Sequence, residues 1–380
     1  MRQRIIPIHA EPQVLPQTPV SASSLPLSDR YQRPLRDLRI SVTDRCNFRC
    51  PYCMPKAVFD HTYRYLPQQD ILSFEEIVQV AQAAIGLGVE KLRLTGGEPL
   101  LRRKIETLVA QLAQLRTPDG KPIDLALTTN GSLLAKKAQT LKDAGLQRLT
   151  VSLDALDEAV FRRMNDREIG LATVFEGLEA ARKAGFERIK INMVVQRDVN
   201  LDQLKPLLAF CAGEGYLLRI IEFMDVGNAN QWALTQVVPS AEICRHLSDD
   251  YLLTPLAPNY EGEVAQRWHY QQRQAPYLSG ELGLIASVTQ AFCQHCSRAR
   301  LATDGKLYTC LFATTGHDLR PILRATNQHD TTPGERLTNV LAAIWHARTD
   351  AYSAQRMAIR AQQATPHSTA HKIEMSYIGG

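Results

Sequence analysis

The chain has 380 residues, 44% hydrophobic and 22% charged, with a formal charge of +5. This composition fits one large α/β domain plus a smaller one, and no apolar run is long enough to span a membrane. The mild positive charge suits a polyanion such as a nucleoside triphosphate and is too small for a DNA-binding surface, so neither nucleic acid nor membrane is expected as a partner.

Residues 1–30, "MRQRIIPIHAEPQVLPQTPVSASSLPLSDR", are broken by prolines and lack the apolar core of a signal peptide. They read as a flexible arm on a cytoplasmic protein. Without an export signal, the eight cysteines are not expected to form a disulfide framework. Six of them fall in two tight groups. Cys211 and Cys244 stand alone in helix-like stretches and are expected in the core.

From Leu38 onward, β-rich and helical runs alternate. The strands are "LRISVT" (38–43), "EKLRLT" (90–95), "IDLALT" (123–128), "QRLTVSL" (147–153), "ERIKINMVV" (187–195) and "YLLRIIEF" (216–223). Ser73 before "FEE", with Glu76 three residues on, forms a capping-box signature, and glycines such as Gly145, Gly185 and Gly215 end helical runs. Six βα units in series imply a parallel sheet, either doubly wound or a barrel.

Central parallel strands usually read apolar on both faces. Here one face is repeatedly basic. Leu92 and Leu94 oppose Lys91, Arg93 and Thr95; Ile40 and Val42 oppose Arg39; Ile191 and Met193 oppose Lys190; Arg219 shares a face with Ile221. Buried unpaired charge is costly. Either these cations pair with interior carboxylates, or an open barrel holds an anion against Arg39, Lys91, Arg93, Lys190 and Arg219, which accounts better for all five together.

"SVTDRCNFRCPYC" places Cys46, Cys50 and Cys53 directly after the first strand, where parallel barrels carry their chemistry. A structural zinc takes four ligands. A [4Fe–4S] cluster has four irons, and three thiolates leave one iron open for substrate. The pattern resembles the radical S-adenosylmethionine (SAM) enzymes, with Tyr52 as the aromatic of C-x3-C-x-aromatic-C. "LTGGEP" (94–99) after the second strand supports the resemblance.

A second trio, Cys293, Cys296 and Cys310, follows C-x2-C-x13-C, and "CSRAR" adds Arg298 and Arg300. Zinc competes here, with His295 or His317 as a fourth ligand. Two incomplete trios with "RAR" after the second, together with "TTNG" (128–131), "VSLDA" (151–155), "EFMDVGN" (222–228) and a terminal "GG", resemble the GTP 3′,8-cyclases of molybdenum cofactor biosynthesis from about Leu38 to Gly380.

The resemblance implies an α/β fold: an incomplete (β/α)6 barrel over 31–225 and a smaller C-terminal domain over 226–380. It implies two [4Fe–4S] clusters, one on each cysteine trio. Tyr52, Gly97, Ser152 and Met224 would contact SAM. Arg39, Arg93, Thr128, Lys190, Arg298 and Arg300 would hold GTP, with Lys91 and Arg219 assisting at the phosphates. Gly379 and Gly380 would reach into the active site.

The implied reaction begins with reductive cleavage of SAM. The 5′-deoxyadenosyl radical takes H-3′ of GTP, and C3′ then bonds to C8 to give 3′,8-cyclo-7,8-dihydro-GTP. A reductant supplies electrons, a separate cyclic pyranopterin monophosphate synthase takes the product, and the chain is a monomer or homodimer. The alternatives are a radical SAM enzyme that modifies a peptide and a zinc-bearing binding protein without catalysis.

Overall fold

The computed structural model describes residues 27–275, 277–325, 332–356 and 372–379. Six parallel strands lie where the alternation puts them: β1 (Asp37–Ser41), β2 (Lys91–Thr95), β3 (Asp124–Thr129), β4 (Arg148–Ser152), β5 (Lys190–Val195) and β6 (Leu217–Glu222). They neighbour one another in chain order, β1 to β6, without the reversal that marks a doubly wound sheet. The sheet is therefore an open barrel wall. Its helix-facing side chains, among them Ile40, Leu92, Leu94, Val151, Ile191 and Met193, are buried in one large core.

Local signals in the sequence act as the physics requires. Helix Phe74–Gly86 begins with a reciprocal Ser73–Glu76 capping box. Helix Leu204–Glu214 ends at Gly215 with φ +72°, a left-handed conformation in which a side chain would be strained.

The C-terminal third shares this sheet. After β7 (Tyr251–Leu256) and β8 (Gln266–Gln272), β9 (Ser279–Ile285) pairs parallel with β6. Strand β10 (Arg298–Leu301) pairs parallel with β1 and aligns Arg298 with Asp37 and Arg300 with Arg39. Strands β11 (Lys306–Tyr308) and β12 (His317–Asp318) complete a twelve-stranded sheet. The smaller domain expected from the sequence thus extends both open edges of the barrel. Bare parallel edges expose unpaired backbone groups, and β9 and β10 satisfy them. The same pairing delivers Arg298, Arg300 and the nearby second cysteine trio to the first strand.

Leu27 and Asp29, within the stretch read as an arm, are buried; residues 1–26 lie outside the described residues. Among the described residues no helix is long and apolar enough to cross a membrane.

Candidate functional site

The inward face of the barrel encloses a cavity of about 1220 Å³, counting its open mouth. Strand parity decides what lines it. Arg39, Lys91, Arg93, Thr128 and Arg219 come from β1, β2, β3 and β6, and Arg298 and Arg300 from β10. Cys293, Cys296, Cys310 and Met224 also line it.

Arg93 donates from Nη1 to the Thr128 and Thr150 hydroxyls at 2.8 and 3.1 Å. Yet among the described residues the buried Nε of Arg39, Arg93, Arg219 and Arg298 meets no acceptor. Six cationic side chains, Arg39, Lys91, Arg93, Arg219, Arg298 and Arg300, thus converge on one cavity, a charge that suits an anion.

Crowded cations also disfavour one another's charge. Burial, then the neighbouring Arg93, brings Lys91 down to about 7. Burial, then Arg219 and Arg148, does the same for Lys190. Lys190 does not line the cavity itself but belongs to this electrostatic group.

The first trio sits behind a different set of contacts. The backbones of the loops after β1 and β2 pair: Gly97 N donates to Thr43 O and Glu98 N to Arg45 O, both at 2.8 Å. A methyl at Gly97 would run into the Arg45 carbonyl, which is why glycine stands there. Glu98 ties the loop after β2 to the end of β3, accepting from Leu100 N, the Thr129 hydroxyl and Asn130 N at 2.7–3.0 Å. Asn130 in turn points Nδ2 at the Cys46 sulfur, 3.9 Å away, and Phe48 N donates to the same sulfur at 3.4 Å.

All six trio cysteines are free thiols. Among the described residues, no group of three or more His, Cys, Asp or Glu is arranged to hold one metal ion. Burial, then Glu98, pushes the Cys46 thiol up to about 12. Cys296 goes the other way: burial raises it, but Arg298 and Arg348 outweigh burial and bring it down to about 6. Each trio offers three sulfur donors, and both Cys46 and Cys310 already accept a backbone N–H, the latter from Phe312 at 3.5 Å. This donor set fits a thiolate-ligated iron–sulfur cluster.

The four residues assigned to SAM are split. Met224 faces the main cavity. Tyr52 lines a separate cleft with Phe223 and Asn230, and its hydroxyl donates to Asp154 at 2.7 Å. Gly97 and Ser152 line neither space. Met224 and Phe223 are consecutive, so the end of β6 separates the two.

The described part of the tail packs against Arg300 of β10. Helix Met375–Ile378 is anchored upstream, where Lys372 Nζ binds Asp225 at 2.9 Å and Glu374 accepts from Asn228 N at 2.9 Å. Arg300 donates to the Gly379 carbonyl, and a methyl on Gly379 would collide with Thr95 Cγ2. Gly380 lies outside the described residues.

Several cavity residues escaped the sequence reading. Asp37 shares the inward parity of Arg39 but lies one residue before the run read as a strand. Burial raises its carboxyl, yet Arg39, Lys91 and Arg93 together hold it below the usual range. Tyr260 and Glu263 come from the β7–β8 connection, which carries no periodic signal. Outside the cavity, Asn130 beside Cys46 lay in view within "TTNG" without an assigned role.

Two sequence families match the chain in succession: the radical SAM superfamily over residues 40–211 and Molybdenum Cofactor Synthesis C over residues 216–354. A GTP 3′,8-cyclase of Acidothermus cellulolyticus is 48% identical over 369 residues, 93% of this chain and 99% of that one. The GTP 3′,8-cyclase of Staphylococcus saprophyticus is 44% identical over 93% of this chain and 99% of its own. That of Xanthomonas campestris is 46% identical over 94% of this chain and 98% of its own. Among solved structures, Streptococcus suis SuiB bound to S-adenosylmethionine aligns with TM-score 0.52 at 15% identity, covering 85% of this chain and 68% of that one. This last likeness bears on the fold alone.

Proposed function

The chain belongs to the GTP 3′,8-cyclase family of radical SAM enzymes, and from that premise we propose that its cavity binds GTP between two iron–sulfur clusters and closes the bond between C3′ and C8. The observation that carries this reading is the convergence of Arg39, Lys91, Arg93, Arg219, Arg298 and Arg300 on one cavity. A triphosphate offers this cluster a matching negative charge.

In this reading Cys46, Cys50 and Cys53 hold a first [4Fe–4S] cluster, and Tyr52, Gly97, Ser152 and Met224 face SAM. Bound there, cluster and SAM supply the deoxyadenosyl radical that starts the reaction. Cys293, Cys296 and Cys310 hold a second cluster against the guanine base. Arg39, Arg93, Thr128, Lys190, Arg298 and Arg300 clamp GTP, with Lys91 and Arg219 at the phosphates. A carbon radical takes hydrogen from any near donor, so holding GTP at both ends is what leaves the ribose exposed to attack at one position. Gly379 extends the clamp from the side of Arg300, and Gly380, given the same role, lies outside the described residues. A peptide-modifying activity has no use for this many inward cations.

The remaining assignments follow from the same reading: a cytoplasmic enzyme, monomer or homodimer, fed by an electron donor, whose product passes to cyclic pyranopterin monophosphate synthase. The test is anaerobic purification with iron, sulfide and zinc analysis, followed by GTP binding. About eight irons per chain, the sum of two four-iron clusters, and saturable GTP binding are expected. Zinc with no sulfide, or no affinity for GTP, would overturn the proposal.

A further inference from the structure

A buried arginine is costly unless its donors are used and its charge is paired. Two stand behind the second cysteine trio, each with a side chain 1% exposed: Arg33, ahead of β1, and Arg348, just past helix Pro333–His346. Both face the buried carboxylate of Asp29, with Arg33 Nε 2.5 Å and Arg348 Nη1 3.6 Å from the same oxygen.

Further donors of both go to the cysteine loop and to Asp350, while Arg33 Nη2 meets no acceptor among the described residues. Arg33 Nη1 donates to the Cys293 carbonyl at 2.9 Å and to the Asp350 carbonyl at 2.8 Å. Arg348 Nη1 donates to the Cys296 carbonyl at 2.6 Å, and its Nε to Asp350 Oδ1 at 3.0 Å. The Trp345 ring lies 4.5 Å from the Arg348 guanidinium, and its indole N–H donates to the Arg33 carbonyl at 2.9 Å.

Joining the segment before β1 to the segment after residue 345 requires only the ion pairs with Asp29. It does not require one guanidinium on the carbonyl of each cysteine of the C-x2-C turn. That turn is a single 3-10 turn, Cys293–His295, in which Cys296 N bonds back to Cys293 O at 3.3 Å. Fixing both carbonyls fixes the turn, and with it the direction in which the two sulfurs leave the backbone. Groups that orient metal ligands from behind matter to affinity nearly as much as the ligands themselves.

We propose that Arg33 and Arg348, held by Asp29, are positioning residues for the second cluster, fixing the C-x2-C ligands and setting the cluster's reduction potential. This rests on the reading of Cys293, Cys296 and Cys310 as cluster ligands. The charges give the effect a sign. Arg33, Arg348, Asp29 and Asp350 sum to zero. Removing an arginine leaves a net negative group behind the cluster and disfavours the extra electron. Removing the Asp29 charge leaves a net positive group and favours it. A brace that served folding alone would not move the potential in opposite directions.

The experiment uses the full chain carrying Cys46→Ser, Cys50→Ser and Cys53→Ser, so that only the second trio binds iron. Anaerobically reconstituted protein is titrated by potential with electron paramagnetic resonance, and iron loss to a ferrous chelator is timed. Arg348→Gln and Arg33→Gln should lose iron about 10–100 times faster. Arg348→Gln should move the midpoint negative and Asp29→Asn positive, each by about tenfold in the reduced-to-oxidised ratio, 59 mV for one electron. Arg348→Lys, which keeps charge but loses the fork, should hold the potential while still losing iron faster. It decides the matter should Arg348→Gln not fold.

Wild-type potentials and iron retention in these variants, or shifts of the same sign in Arg348→Gln and Asp29→Asn, would overturn the inference. A parent protein that takes up no iron would instead remove the second cluster itself.

Discussion

Replacing Gly379 by alanine tests the tail with a single methyl group. Gly379 has φ +72°, where an L side chain costs about 1–2 kcal/mol. The new methyl would also occupy the space of Thr95 Cγ2, and overpacking of this kind costs typically about 1–3 kcal/mol. The two together come to at least about 2 kcal/mol, or roughly 30-fold in the ratio of docked to undocked tail. The clusters are untouched by this change, so iron content should match wild type. The assay is anaerobic and reads two products, 5′-deoxyadenosine and cyclised GTP. Cyclised product per deoxyadenosine should fall by about tenfold or more, while deoxyadenosine still forms. Thr95→Ser removes the colliding Cγ2, so Gly379→Ala with Thr95→Ser should recover the steric part and leave only the cost of φ. Wild-type coupling in Gly379→Ala would refute the docked tail as part of catalysis, and no recovery in the double variant would refute the contact with Thr95 as its cause.

Cys46→Ser should abolish SAM cleavage while roughly half the iron remains, since a second four-iron site survives; ordinary deoxyadenosine formation would contradict the assignment. Arg298→Ala and Arg300→Ala should each weaken GTP binding about 10–100-fold, the worth of a charge-assisted bond of about 1.5–3 kcal/mol, with both clusters intact; unchanged affinity in calorimetry would place those arginines outside the GTP contacts. Lys91 and Lys190 titrate at about 7 in the free protein, and a bound triphosphate raises both. They are mostly neutral above pH 7 and must take up protons to bind. Affinity should therefore fall as pH rises from 7 to 9, by up to about tenfold per unit for each lysine. Calorimetry in buffers of different ionisation heat should show proton uptake, and a flat profile with none would show that neither lysine meets the phosphates.

Much of this was legible in the chain because strand parity is a short-range signal. Arg39, Lys91 and Arg93 declare the inward face by their spacing from Ile40, Leu92 and Leu94, whereas Arg219 shares its face with Ile221 and gives no such alternation; the structure puts all four on one cavity. The cysteine spacings were equally local. What the spacing did not reveal is where the second half of the chain joins the first. The pairing of Arg298 with Asp37 and Arg300 with Arg39 spans some 260 residues, and no periodicity encodes an edge partner that distant. Asp29 lay in the stretch read as an arm for its prolines and Arg33 just beyond it, and their partners Arg348 and Asp350 stand more than 300 residues away. Asp37 was lost to a boundary error of one residue, the commonest failing of strand assignment.

The central claim is that the cavity clamps GTP with its ribose C3′ hydrogen nearest the radical. GTP deuterated only at C3′ tests it most directly, with anaerobically reconstituted protein, SAM and reductant, and mass analysis of both products. The account predicts one deuterium in 5′-deoxyadenosine and none in the cyclised nucleotide. Deoxyadenosine free of deuterium, or cyclised product that retains it, would contradict the account.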